Sequence, residues 1–343
     1  MAGLPPDVFD PLVEVKFSIA KHDKIATAGS CFAQNISQYL SANGFNYFQA
    51  ESAHPLMPKA LADEYQYGIF SARFGNVYTS RQLLQLFDRA YGRFSPDEAE
   101  WQRQDGRLVD PFRPQISPDG YLSKEELRAD RNFHLTRVRA MFEQLDVFVF
   151  TLGLTEGFVS RSDGAAFPIC PGVSGGVFDD LNYKFVNLRA QQVIDDLEAF
   201  LARLRNVNHR ARVILTVSPV PLVATAAQKH VAVATAYSKA ALRVACEEIV
   251  AAHPHVDYFP SYEIITSAHA RGRYFAPDLR TVTKAGVDHV MRIFMKHFAN
   301  IGALEPRLPT QAVPAPAVSI EENEAELVDI ICDEEILNKY AVD

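Results

Sequence analysis

Lys24-Ile25-Ala26-Thr27-Ala28-Gly29-Ser30-Cys31-Phe32-Ala33 carries the decisive information of this chain. A short apolar run meets a cluster of small residues, and Phe32, Ile36, Tyr39 and Leu40 then fall on one face at helical spacing. The pattern predicts a first strand turning sharply into a first helix. Ser30 and Cys31 sit at that turn, where a helix N-terminus offers unpaired backbone N–H groups and the positive end of its dipole. Such a position stabilises a thiolate or an oxyanion. A tight turn around a buried, inert cysteine is the competing reading.

Four further β-rich apolar runs follow, at 45–48, 145–152, 211–217 and 256–259. The runs at 145–152 (LDVFVFTL) and 211–217 (ARVILTV) are almost continuously apolar, as a parallel strand covered on both faces must be. Helical patterns lie between and after them. In 187–206, Leu188, Val193, Leu197, Leu201 and Leu204 share a side, and 230–252 and 283–299 are similar. Alternating strands and helices predict an α/β fold, a doubly wound and mostly parallel five-stranded sheet in a three-layer sandwich.

The long stretch at about 50–140 is a large insertion after the second strand. It holds a helix at 81–90, a Pro/Gly/Asp-rich loop at 94–120, and a helix at 123–144 with Ser123 as cap and Glu126 at the third position. It is expected to shape one wall of a pocket. Residues 1–303 read as one domain, 304–320 as a Pro-rich linker, and 321–343 as an acidic tail, either mobile or a short amphipathic helix.

The chain has 343 residues, 48% apolar and 22% charged, which suits a soluble globular protein. Its net charge of -8 is concentrated in the tail, where nine acids face one base, while the rest holds 33 of each. No basic stripe points to nucleic acid; the tail reads as mobile solubilising chain, the alternative being a docking element for a protein partner or for the domain's own surface. No apolar run reaches the roughly 18–20 residues of a membrane span, and no signal-peptide pattern opens the chain. Cys31, Cys170, Cys246 and Cys332 form no CxxC pair, so reduced thiols and a cytoplasmic setting are expected. No histidine–carboxylate spacing suggests a metal, and no Gly-rich phosphate loop suggests a nucleotide, so no cofactor is expected.

Every predicted strand except the second ends in small or polar residues. These are Gly29-Ser30-Cys31, Thr151-Leu152-Gly153-Leu154-Thr155-Glu156-Gly157, Thr216-Val217-Ser218-Pro219 and Pro260-Ser261-Tyr262-Glu263. In an open parallel sheet, ligands bind outside these carboxyl ends. The set resembles the GSCFA family, within the SGNH (GDSL-like) hydrolase superfamily, over about residues 20–300. The resemblance implies a flavodoxin-like sheet and an esterase or acyltransferase acting on an O-acyl substrate, such as an acetylated carbohydrate or related glycan ester. The alternative is a catalytically inactive domain that binds a glycan or protein partner.

The resemblance also assigns roles. Laid on the superfamily's Gly-Asp-Ser-Leu block, Cys31 is the nucleophile with Ser30 at the aspartate position, and a one-residue shift makes Ser30 the nucleophile. Gly29, Gly75 and Asn76, and Gly153 with Thr155 and Glu156, fall at oxyanion or substrate positions, Thr155 replacing an asparagine. Ser218 belongs to the same edge. The closing Asp-x-x-His block reads Asp278-Leu279-Arg280-Thr281, with threonine in the histidine's place. Threonine is no base, so a serine there lacks its activator, whereas a cysteine loses less. His54, in the loop after the second strand, is the candidate substitute base. His134 and His230 read as surface or satisfied-core residues, and His289 as pointing away. Arg280 is the favoured anion or sugar-oxygen ligand; Arg73, Arg271 and Arg273 read as ordinary ion-pairing residues.

Overall fold

The computed structural model of the protein describes residues 6–299. A single 3-10 turn at Pro6–Val8 precedes β1 (Ile25–Gly29) and α1 (Ala33–Ala42). Next come α2 (Lys59–Glu64), α3 (Ser80–Ala90), the paired two-residue strands β2 (Trp101–Gln102) and β3 (Leu108–Val109), and α4 (Lys124–Gln144). Then follow β4 (Val147–Leu152), β5 (Glu156–Ser160), β6 (Ala166–Phe167), β7 (Tyr183–Asn187) and α5 (Ala190–Val207). The domain continues through β8 (Arg212–Val217), α6 (Val231–Ala252), β9 (Val256–Phe259), α7 (Ser261–Thr266) and α8 (Lys284–Phe298). Cys332, the Pro-rich linker and the acidic tail lie outside the described residues.

The central sheet is parallel, with strand order β1-β4-β8-β9. The expected second strand is a correction. It contributes one parallel bridge, Ile25 to Tyr47, rather than a full strand. Ile25 pairs with Tyr47 on one edge and with Val147 on the other, so the 45–48 segment lies outside β1. The chain therefore steps outward from β1 and then returns to β4. Such a reversal opens a crevice at the carboxyl ends of β1 and β4.

Side chains alternate along each strand and build two cores. Ile25, Val147, Val149, Ile214 and Phe259 pack with residues of α1, α7 and α8. Ala26, Ala28, Phe148, Phe150, Leu152, Val213, Leu215 and Val217 pack with α3, α4, α5 and α6. The result is three layers with the sheet in the middle. Phe87, Phe142 and Phe200, from three different helices, meet over Phe148 within 5–6 Å of one another. The helices of the long stretch before β4 are thus part of a covering layer.

Local chemistry sets the helix starts. Thr79 and Gln82 form a reciprocal capping box at α3. Ser123 accepts from the Glu126 amide while the Glu126 carboxylate accepts from the Leu122 amide at α4. A small antiparallel sheet, β6-β5-β7, follows β4 directly and was not foreseen.

Candidate functional site

Gly29 ends β1 with φ of +143°, and a Cβ there would lie 2.4 Å from the Thr151 carbonyl oxygen. Only glycine allows this approach. It lets the Ser30 amide donate to Thr151 O at 3.1 Å, which aims the turn at the exit of β4. Ser30 is 3% exposed, and its hydroxyl is buried without a hydrogen-bond partner. Cys31 is 7% exposed. The α1 ladder starts with Ala33 N to Ser30 O, Gln34 N to Cys31 O and Asn35 N to Phe32 O. No side chain caps it and α1 contains no charged residue, so nothing on the helix itself offsets its positive end.

The β4 exit packs directly on this turn. A Cβ on Gly153 would lie 2.9 Å from Ser30 Cβ and 3.2 Å from Tyr78 Cδ1. The Gly153 and Leu154 amides both donate to Tyr78 O, at 2.9 and 3.1 Å, and the Val77 amide donates to Gly29 O at 2.8 Å. The segment 73–78 therefore lies across the ends of β1 and β4, bringing Gly75 and Asn76 to the crevice region. Gly75 has φ of +71° and Asn76 is buried.

That segment is anchored from below. The Arg73 amide donates to Glu51 Oε2 at 2.8 Å, and Arg113 Nη1 reaches Arg73 O at 3.5 Å. Glu51 also meets His134 Nδ1 at 2.7 Å, and Arg113 pairs with Asp110 and Asp130. Burial would raise the Glu51 carboxyl, but His134, Arg113 and the Arg73 amide more than offset it. Burial and Arg113 hold the His134 ring down at about 4, so it is neutral at pH 7. Arg73 is thus a buried structural residue, while Arg271 and Arg273 are exposed.

Thr155 and Glu156 face elsewhere. The Thr155 hydroxyl donates to Asn187 Oδ1 at 2.7 Å, and Glu156 accepts from the Thr225 hydroxyl at 2.7 and 2.9 Å. Burial pushes the Glu156 carboxyl up, against the Thr225 bond and Lys229. Thr155 and Asn187 line a separate cavity of about 300 Å³ with Thr79, Arg81 and Lys184. An asparagine does stand beside Thr155, then, but it comes from β7, a strand the sequence reading missed. Ser218 is buried, its Oγ accepting from the Val220 amide at 3.3 Å.

The closing block folds on itself. Asp278 accepts from the Arg280 and Thr281 amides, each at 2.9 Å, and from the Thr281 hydroxyl. Burial raises its carboxyl, but these bonds and Arg280 bring it below its usual value. Leu279 is exposed, with φ of +56°, in this capped loop. Asp278 and Thr281 serve the loop they belong to.

None of the ten histidines is hydrogen-bonded to Ser30. His54 is exposed and its Nδ1 accepts from the Leu56 amide at 3.2 Å, closing its own turn. His230 caps α6 through Ala232, and His289 meets the Tyr274 hydroxyl at 2.7 Å. His253 and His297 meet Glu198 and Asp10, His269 stacks on Phe9, and His255 packs edge-on against His253. His22 lies beside Asp23, and His209 is exposed. Among the described residues no group of three or more His, Cys, Asp or Glu could hold a metal ion, and no helix is long and apolar enough to cross a membrane.

One side chain at these strand ends escaped the sequence reading. Lys239 of α6 is 1% exposed, and its Nζ donates to Gly153 O at 2.7 Å. Its neighbour Ser238 accepts from the Thr155 amide at 3.0 Å. The available signal was a lysine beside the apolar face formed by Ala234, Ala241, Leu242, Ala245 and Ile249.

Fold and site together define a doubly wound α/β protein with a buried serine–cysteine turn at the reversal of its sheet. The chain belongs to the GSCFA family, whose model matches residues 24–294. Among solved structures it is similar to a family 3 carbohydrate esterase of Clostridium thermocellum at 12% identity and a TM-score of 0.28, covering 82% of this chain and 96% of that one. No curated protein matches the chain.

Proposed function

We propose that the Ser30–Cys31 turn is the nucleophilic centre of an esterase-like protein acting on an O-acyl substrate. The observation that carries this reading is the Ser30 hydroxyl, buried without a partner where β1 and β4 reverse the sheet. Most buried polar groups are paired, and an unpaired one calls for an explanation, of which a catalytic role is one. Cys31 follows it at the uncapped start of α1, the setting that favours a thiolate.

In the reaction, oxygen or sulfur of the turn bonds to the ester carbonyl carbon and the C–O bond to the alcohol breaks. The nucleophile's proton leaves with that alcohol. Water then takes the acyl group in hydrolysis, or a second hydroxyl takes it in transfer. Backbone N–H groups around the turn and the Asn76 side chain would hold the oxyanion. An acetylated carbohydrate or related glycan ester is the substrate class that goes with this reading.

The alternative is a domain that binds a glycan or protein without turnover. The spent Asp278–Thr281 pair and the dispersed histidines favour it. Initial rates of 4-nitrophenyl acetate hydrolysis by wild type, Ser30→Ala and Cys31→Ala separate the two. The proposal expects one variant to lose more than about a hundredfold with its melting temperature preserved. Equal rates in all three would leave the binding reading.

A further inference from the structure

Of the buried cations among the described residues, Arg73, Arg89 and Arg113 belong to the ionic cluster around Asp110. Lys239 does not. It stands in α6 beside Ser238, with Ala241, Leu242 and Ala245 on the same buried side. Burying an ammonium is costly, and a methionine would fill the same volume. Something other than packing is therefore served by the charge.

The hydrogen bonds show where that charge acts. Lys239 donates to Gly153 O, the Leu154 amide of that same peptide unit donates to Tyr78 O, and the adjacent Val77 amide donates to Gly29 O. These bonds tie α6 to the β4 exit, the 73–78 segment and the β1 exit. Gly153 is also the residue against which Ser30 packs.

We infer that Lys239 is the charge-bearing positioning residue of the site: its ammonium fixes the Gly153–Thr155 turn against Ser30–Cys31 and supplies the positive potential that holds an anion there. That anion is the Cys31 thiolate or the oxyanion of an acyl intermediate. The inference rests on the nucleophilic reading of the turn, and Lys239 supplies positive charge there but, unlike a histidine, no base. The other titratable or charged side chains on the elements meeting at the turn include Tyr39 of α1, Arg73 and Tyr78 of the 73–78 segment, Glu156 after β4, Tyr237, Arg243, Glu247 and Glu248 of α6, and Glu263, Asp278 and Arg280 of the segments after β9. Of these, Glu156 is bonded to Thr225, Glu263 to Arg243 and Tyr258, and Asp278 to Thr281.

The test reads the Cys31 thiol directly, without any ester. Iodoacetamide labelling of Cys31 across pH, followed by peptide mass, is compared in wild type, Lys239→Met and Lys239→Gln. The other described cysteines stay out of the window, since burial pushes Cys170 up to about 11 and Cys246 higher still. Glutamine can keep the bond to Gly153 O but carries no charge. The wild-type midpoint should lie below the ordinary value of about 8.5, and both variants should shift it up by about one unit, labelling roughly tenfold more slowly at pH 7. A glutamine variant equal to wild type would reduce Lys239 to a hydrogen-bond role and overturn the inference. So would a wild-type midpoint at or above the ordinary value, or a Cys31 unlabelled at every pH in folded protein. If both variants fail to fold, Lys239→Arg, which keeps the charge, is compared with Ser238→Ala: the arginine variant should keep the wild-type midpoint, and a midpoint raised by about one unit there would overturn the inference. Loss of ester turnover with a lowered midpoint would sink the proposed reaction and leave this inference standing.

Discussion

Replacing Gly153 by alanine perturbs the site at the point where the β4 exit meets the Ser30–Cys31 turn. The added carbon would lie 2.9 Å from Ser30 Cβ and 3.2 Å from Tyr78 Cδ1. Carbon atoms at optimal separation lie about 3.5–4.0 Å apart, so Ser30 or Tyr78 must yield by several tenths of an ångström to about 1 Å. Overpacking of this kind costs about 1–3 kcal/mol, a melting-temperature drop of several degrees in a protein this size. A reacting atom displaced by about 1 Å costs on the order of a hundredfold in rate. Gly157→Ala is the control, because nothing lies within 4 Å of its added carbon. Calorimetry and 4-nitrophenyl acetate turnover on both variants give the answer. Gly153→Ala should lose both stability and rate, while Gly157→Ala should keep both. A Gly153→Ala protein with a lowered melting temperature and the wild-type rate would refute the placement of chemistry at this contact.

Two further outcomes follow from the ionic cluster beneath the 73–78 segment. His134 is held at about 4, below the 6.5 of an unfolded histidine, by burial and Arg113. The unfolded chain therefore binds a proton that the folded chain refuses. The associated stability is present above about pH 6.5 and is lost as pH falls toward 4, up to about 3 kcal/mol. Urea denaturation at pH 7, 5.5 and 4.5 should show that loss, and His134→Gln should flatten it; an unchanged slope would contradict the assignment. Asp110→Asn should cost about 3–5 kcal/mol, because it leaves the buried Arg113 with Asp130 alone and the half-buried Arg131 without its carboxylate. The exposed pair broken by Asp63→Asn should cost less than about 1 kcal/mol, so equal losses in the two variants would count against the cluster.

Four of the five expected strands were legible because a parallel strand covered on both faces is mostly apolar, as 147–152 and 212–217 are. Phe45–Phe48 carries the same composition, yet Tyr47 alone bridges to Ile25, because the chain turns away from the sheet edge at once. β5 and β7 were missed because strands such as EGFVS and YKFVN mix polar and apolar residues and follow directly on a strand end. The small residues of the site were legible as types, since Gly29 and Gly153 are dictated by contacts across the sheet. Their partners were not. Glu51, Arg73, Asp110, Arg113, Asp130 and His134 look like ordinary surface charges in sequence, and only the fold buries them together. Lys239 lies 86 residues from the carbonyl it holds, and no local pattern records that distance.

The central claim is that the β1–α1 turn carries a nucleophile, and covalent trapping tests it most directly. Folded protein is incubated with an activated acetyl ester, and intact and peptide masses are read for wild type, Ser30→Ala and Cys31→Ala. The account predicts one acetyl adduct in wild type, mapped to Ser30 or Cys31 and absent from the corresponding alanine variant. No adduct on folded wild type, or an adduct that persists unchanged in both variants, would contradict it.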